Sequence, residues 1–146
     1  MPFQIRSPRS HRQTLGACTM FLAAWALLVP PSQAADTMAE VVSPAFAHKL
    51  PNMPGATVTA LLVTYPPGGR SAPHHHAGSV VAYVLSGTVR SENSATGPAR
   101  IYKAGESFFE PPGSTHLVSE NASATEPASL LAIFVAADGA TLKTDD

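Results

Sequence analysis

Between residues 58 and 135 the chain alternates short apolar runs with turn residues, the pattern of an all-β domain. Val58–Tyr65 is dense in β-branched and aromatic residues, and Pro66-Pro67-Gly68-Gly69 ends it. Further strands are predicted at His74–His76, Val80–Leu85, Thr88–Ser91, Arg100–Lys103, Ser107–Glu110, His116–Glu120 and Leu130–Val135. Gly87, Gly97-Pro98, Gly105 and Pro112-Gly113 mark the corners, and no segment ahead of the C-terminal tail keeps a helical period. Roughly seven or eight strands punctuated in this way predict a barrel or sandwich. The polar stretches Ser91–Ala99 and Asn121–Pro127 read as loops, the first joining two halves of the barrel.

Strict alternation puts Val80, Ala82 and Val84 on one face of their strand and Val81, Tyr83 and Leu85 on the other. Both sets are apolar, so both faces call for a cover: a second sheet's edge, the N-terminal arm or a twofold-related subunit. A homodimer is the expectation. Tyr65, Tyr102, Phe108, Phe109 and Phe134 are candidate core or pocket aromatics.

The N-terminal residues obey a different rule. Arg6, Arg9 and Arg12 precede an apolar run from Leu15 to Val29, and Pro30-Pro31-Ser32-Gln33-Ala34 closes it on small residues. This is the outline of a cleavable signal peptide over 1–34, with an apolar run shorter than the ~20 residues a membrane-spanning helix needs. Leu15-Gly16-Ala17-Cys18 resembles a lipoprotein box, but the apolar run comes after the cysteine where that pathway needs it to precede. The expected location is periplasmic or secreted, with no membrane partner once the leader is removed. The mature chain divides into an arm, 35–57, a barrel, 58–137, and a tail, 138–146. The arm, punctuated by Pro44, Pro51 and Pro54, reads as irregular and extended.

Cleavage removes the single cysteine, Cys18, and with it any disulfide, thiol nucleophile or thiolate ligand. The three leader arginines are among nine basic residues, so six remain against ten acidic ones, scattered without runs. Such a balance excludes nucleic acid as the expected partner.

The chemistry rests on histidines. Residues i and i+2 of a strand share a face, so His74 and His76 can act together while His75 points away. His116, in Pro111-Pro112-Gly113-Ser114-Thr115-His116, stands where another strand begins and can bring a third imidazole to the same point. His11 and His48 lie in the leader and the arm.

These positions resemble the two motifs of the cupins, small jelly-roll β-barrels. Gly68, His74, His76 and Gly87 fit the first motif, and Gly105, Pro111, Gly113 and His116 fit the second. Ser91–Ala99 lies where the family places its intermotif loop. The resemblance implies an all-β, cupin-type jelly-roll β-barrel whose histidines, His74, His76 and His116, bind a divalent metal. It breaks at two places. Val80, or Val81 on the longer spacing, occupies the position of the first motif's metal-binding glutamate, and Glu120 replaces the second motif's asparagine, with Asn121 one step late.

Three imidazoles with open positions suit Fe, Zn, Mn, Ni or Cu better than magnesium or calcium. Glu110, just before Pro111, is the candidate for the missing carboxylate or for a catalytic base; Glu120 is a weaker one, and Glu106 sits in a turn exposed to solvent. The implied ligand or substrate is a small molecule able to touch the metal. Three functions fit the pattern: a metal-dependent oxygenase, a metal-dependent isomerase or lyase that needs a nearby base, and a non-catalytic cupin that binds a metal or small metabolite.

Overall fold

The computed structural model describes residues 39–146, so the leader, with Cys18 and His11, lies outside the described residues. Ten strands run in chain order: β1 (Val41–Lys49), β2 (Ala56–Tyr65), β3 (His74–His75), β4 (Ser79–Ser86), β5 (Thr88–Asn93), β6 (Gly97–Lys103), β7 (Ser107–Glu110), β8 (Thr115–Asn121), β9 (Ala128–Ala137) and β10 (Thr144–Asp145). They form two five-stranded sheets, β1-β2-β9-β4-β7 and β10-β3-β8-β5-β6, and every named strand pair is antiparallel.

Every strand read from the apolar runs is present, most of them longer by one to three residues. Two elements carried no such signal. Nine residues of the arm form the edge strand β1, whose ladder with β2 is interrupted by a register shift between Pro44 and Phe46. The shift absorbs a proline that has no N–H to give a regular ladder. The tail supplies β10, which pairs Thr144 with His75 and Asp145 with His74. The Ser91–Ala99 stretch is not a long loop: β5 and β6 run through most of it, and only 94–96 turn. The polar residues there are the sides of a hairpin, where both strands carry solvated positions.

Between the sheets lies one core built from Tyr65, Val80, Ala82, Val84, Val89, Phe108, Leu130 and Phe134, with alanines at 128 and 132. β4 alternates as expected, with Val80, Ala82 and Val84 buried and Val81, Tyr83 and Leu85 turned out. Phe109 also points out, a correction to its reading as a core or pocket aromatic, because it stands opposite the outward Val81 on the next strand. Gly87, at φ +68°, turns β4 into β5 with the Pro127 carbonyl 2.5 Å from where a Cβ would be. That close approach is why the first motif ends on glycine.

Candidate metal centre

The two-residue strand β3 brings the histidines in. Its register sets His74 opposite His116 of β8, so two of the three imidazoles are rungs of one ladder. His74 and His76 are each 5% exposed and His116 3%, whereas His75 turns away and meets Asp146 at 2.8 Å. A register shift in the β5–β8 ladder, between Glu92 and Asn93, lets β8 turn both His116 and Ser119 inward, three residues apart. One nitrogen from each of His74, His76 and His116 lies within 4.8 Å of the others, a cluster that can hold a metal ion.

Each ring is fixed from behind. Nδ1 of His74 donates to the Ala72 carbonyl at 2.7 Å, and Nδ1 of His76 donates to the Leu142 carbonyl at 2.6 Å. A carbonyl only accepts, so both rings carry their proton on Nδ1, and Nε2 keeps a free lone pair. Nε2 of His116 is held by the Ser91 hydroxyl at 2.8 Å, leaving Nδ1 to face Glu110. Phe134 packs edge-on against His76 and Phe108 against His116. This is the arrangement that orients metal-binding histidines.

Glu110 is the acidic residue that the fold brings to the cluster. It is 3% exposed, on the same inward face as Phe108. Its Oε2 lies 2.9 Å from Nδ1 of His116 and 3.7 Å from Nε2 of His76. The His116 contact has the distance of an ion pair but not the direction of a hydrogen bond, and Oε2 has no hydrogen-bond partner. Burial pushes the Glu110 carboxyl up, but His116, then the other two imidazoles, outweigh it and hold the pKa below its ordinary value. A buried carboxylate oxygen that faces imidazole nitrogens without a hydrogen bond is a donor set suited to a cation. Glu120, by contrast, pairs with Arg90 at 2.8 Å away from the histidines, and Glu106 caps its own turn through the Lys103 amide at 2.7 Å.

The histidines open on a cavity of about 310 Å³. Leu61, Val63, Leu130 and Phe134 give it apolar walls, and Tyr65, whose hydroxyl contacts the hydroxyls of Ser71 and Ser119 at 2.8 Å each, gives it a polar side. Glu40 of the arm and Lys143 of the tail also line it, paired at 3.0 Å. Nothing in the sequence places either charge near the histidines, because both come from segments without strand signals. Ser91 was within reach of alternation from Val89, whereas the Ala72 and Leu142 carbonyls leave no trace in a sequence. Asn121, one step late for the second motif, is buried and ties two loops together by donating to the carbonyls of Pro66 and Glu126.

Residues 61–134 match the cupin domain family. A germin-like protein, subfamily 2 member 2 of Arabidopsis thaliana, is 32% identical over an alignment of 108 residues that covers 71% of this chain and 48% of that protein. The fold is also that of an uncharacterised protein with a double-stranded β-helix domain from Klebsiella pneumoniae, at a TM-score of 0.57 and 22% identity over 81% of this chain and 91% of the other. Oxalate decarboxylase of Bacillus subtilis, which has Mn(II) centres, is 29% identical with a TM-score of 0.51 over 60% of this chain and 23% of its own. The chain thus spans about half the length of the plant relative and about a quarter of the decarboxylase.

Proposed function

The chain belongs to the cupin family, and from that premise we propose that it is an exported cupin that binds a divalent metal through His74, His76 and His116 and acts as a metal-dependent oxygenase on a small organic substrate. The observation that carries the reading is the pair of free Nε2 atoms, on His74 and His76, beside a cavity of about 310 Å³ with apolar walls. A bound metal would supply a Lewis acid with open positions for a chelating substrate and dioxygen. The protein's own part is positioning. The Ala72 and Leu142 carbonyls hold the rings in the tautomer that ligates, and Leu61, Val63 and Leu130 exclude water from the substrate's apolar part. Tyr65 and the Lys143–Glu40 pair offer hydrogen bonds and charge to its polar part.

The test is metal analysis of the chain from residue 35 onward after reconstitution with iron, zinc, manganese, nickel or copper, beside His74→Ala and His116→Ala. Retention by the wild type and loss by both variants supports the reading; a wild type that holds none of these metals ends it. Oxygen uptake with catechol, diketone and flavonol substrates then separates the oxygenase from a cupin that only binds.

We also propose that the chain pairs with a second copy through the outer face of the β1-β2-β9-β4-β7 sheet. Phe46, Ala60, Ile133, Val81 and Phe109 form one cross-strand row over all five strands of that face. Phe46, Val81, Phe109 and, in the neighbouring rows, Tyr83 and Leu85 are 42–46% exposed. Ala60 within the row is fully covered, so the exposed apolar side chains fall into Phe46 on β1 and the group Val81, Tyr83, Leu85 and Phe109 on β4 and β7, and that group suits an interface.

A further inference from the structure

Val80, which stands where the first cupin motif has its metal-binding glutamate, is paired directly with Glu110 in the β4–β7 ladder. Side chains of directly opposed residues leave the same face of the sheet with Cβ atoms about 5 Å apart. A glutamate on either rung therefore reaches the same region between the sheets. The geometry points to a transfer of the carboxylate ligand across this rung: Glu110 of β7, rather than a residue of β4, is the fourth ligand beside His74, His76 and His116. The inference rests on the metal-binding reading above.

Three observations carry it. Both residues of the rung are inward and buried, Val80 at 1% and Glu110 at 3% exposure, so the small valine leaves the space beside the histidines to the longer carboxylate. The Glu110 Oε2 atom faces that space with no hydrogen bond, although it is 2.9 Å from Nδ1 of His116. Its distances to two of the three imidazoles, His116 and His76, also suit shared coordination, whereas the 4.8 Å cluster itself holds the three histidines without it, so the carboxylate must close on the His74 side when an ion binds. Metal bonds of about 2.1 Å put neighbouring donors about 3.0 Å apart at a right angle and about 3.4 Å apart at the tetrahedral angle. The 2.9 Å and 3.7 Å separations of Oε2 from His116 Nδ1 and His76 Nε2 differ from those values by a few tenths of an ångström. One carboxylate among three neutral imidazoles also offsets half the charge of a divalent ion, beside the apolar walls that Leu61, Val63, Leu130 and Phe134 give the cavity.

Zn(II) competition titrations and the visible absorption of Co(II) test the inference on the wild type, on Glu110→Gln and on the exchange variant Val80→Glu/Glu110→Val, with His74→Ala as the control. Glu110→Gln should weaken Zn(II) by at least about tenfold, because losing only a hydrogen-bond partner of a ligand already costs roughly 10–100-fold. It should also change the Co(II) spectrum, which a distant charge or a packing role would not. The exchange variant should recover most of the lost affinity with a spectrum like the wild type's. If Glu110→Gln keeps wild-type affinity and spectrum while His74→Ala loses the metal, the transfer is wrong and the three-histidine site stands. If the wild type takes up neither ion, both readings fall. Should the exchange variant not fold, by circular dichroism, Glu110→Gln alone decides through its spectrum.

Discussion

Nδ1 of His76 lies 2.6 Å from the carbonyl oxygen of Leu142, 66 residues further along the chain. A ring at the centre of the site is thus oriented by a backbone atom of the C-terminal tail. The bond does not depend on the side chain at 142, although Leu142 also packs against the core.

Deleting residues 141–146 removes that carbonyl and the β10 pairing with it. Zn(II) affinity should fall by about 10–100-fold, the usual effect of losing the group behind a ligating histidine. The far-ultraviolet dichroism should stay close to that of the intact chain, because β10 is only two residues long. Unchanged affinity in a folded truncation would mean that the ring is held by Phe134 packing instead.

The Tyr65 hydroxyl is buried between two serines, Ser71 and Ser119. Tyr65→Phe leaves both serines without that partner and should cost about 1–3 kcal/mol. Urea unfolding reads the loss as a lower midpoint at constant slope. A midpoint equal to the wild type's would show that water replaces the phenol.

Acid should weaken the metal-free fold before its carboxylates titrate. Burial lowers the pKa of His74 from 6.5 to about 4. Between these values the unfolded chain binds a proton that the folded chain refuses, so stability falls as pH drops through that window, and this loss is complete below about pH 4. His76, lowered mainly by burial, adds to the loss below pH 6.5. Glu110, held below its ordinary 4.5, acts later: its contribution is present above pH 4.5 and is lost as pH falls through its depressed value. In EDTA, the denaturation midpoint tracked from pH 7 downward should show this decline, and His74→Gln should make it shallower between about pH 6.5 and 4. An equal slope in the variant would remove the neutral buried imidazole as the cause.

The position of Val81 in the row that crosses the outer sheet makes it the place to test self-association. Val81→Lys puts a charge into that row without touching the inward face of β4. Sedimentation equilibrium should give a dimer for the wild type and a monomer for the variant, with the metal affinity of each protomer unchanged. A monomeric wild type would remove the second copy as the cover.

Some of the architecture is legible in the chain and some is hidden. The period of two sorts Val80, Ala82 and Val84 from Val81, Tyr83 and Leu85, but both sets are apolar, so which of them is the inner face shows only in the fold. His74 and His76 declare themselves by the same period. β1 does not: all nine of its residues are exposed, its ladder is broken near Pro44, and it is held chiefly by backbone hydrogen bonds to which the sequence is blind. Glu110 lies between these cases. Phe108 two residues earlier shares its face, but Phe109 puts an aromatic on the other face as well, so alternation leaves its direction open, and its nearness to the histidines depends on β7 lying beside β4, a pairing between residues 24 to 30 positions apart. Pairing over such distances is set by the whole barrel and not by either strand alone.

The longest ladder in the structure carries a kinetic consequence. β2 and β9 meet over ten pairs, from Ala56 with Ala137 to Tyr65 with Ala128, so the middle of one sheet waits for residues 63 to 81 positions apart to find each other. Closing loops of that size before any contact rewards them makes folding slow. The histidine strand β3, two residues long, cannot stand by itself and docks only on a sheet already formed. The histidine cluster is then among the last parts of the molecule to appear and among the first to open. A bound ion would lengthen the life of the folded protein by slowing its unfolding, while leaving the rate of folding almost unchanged.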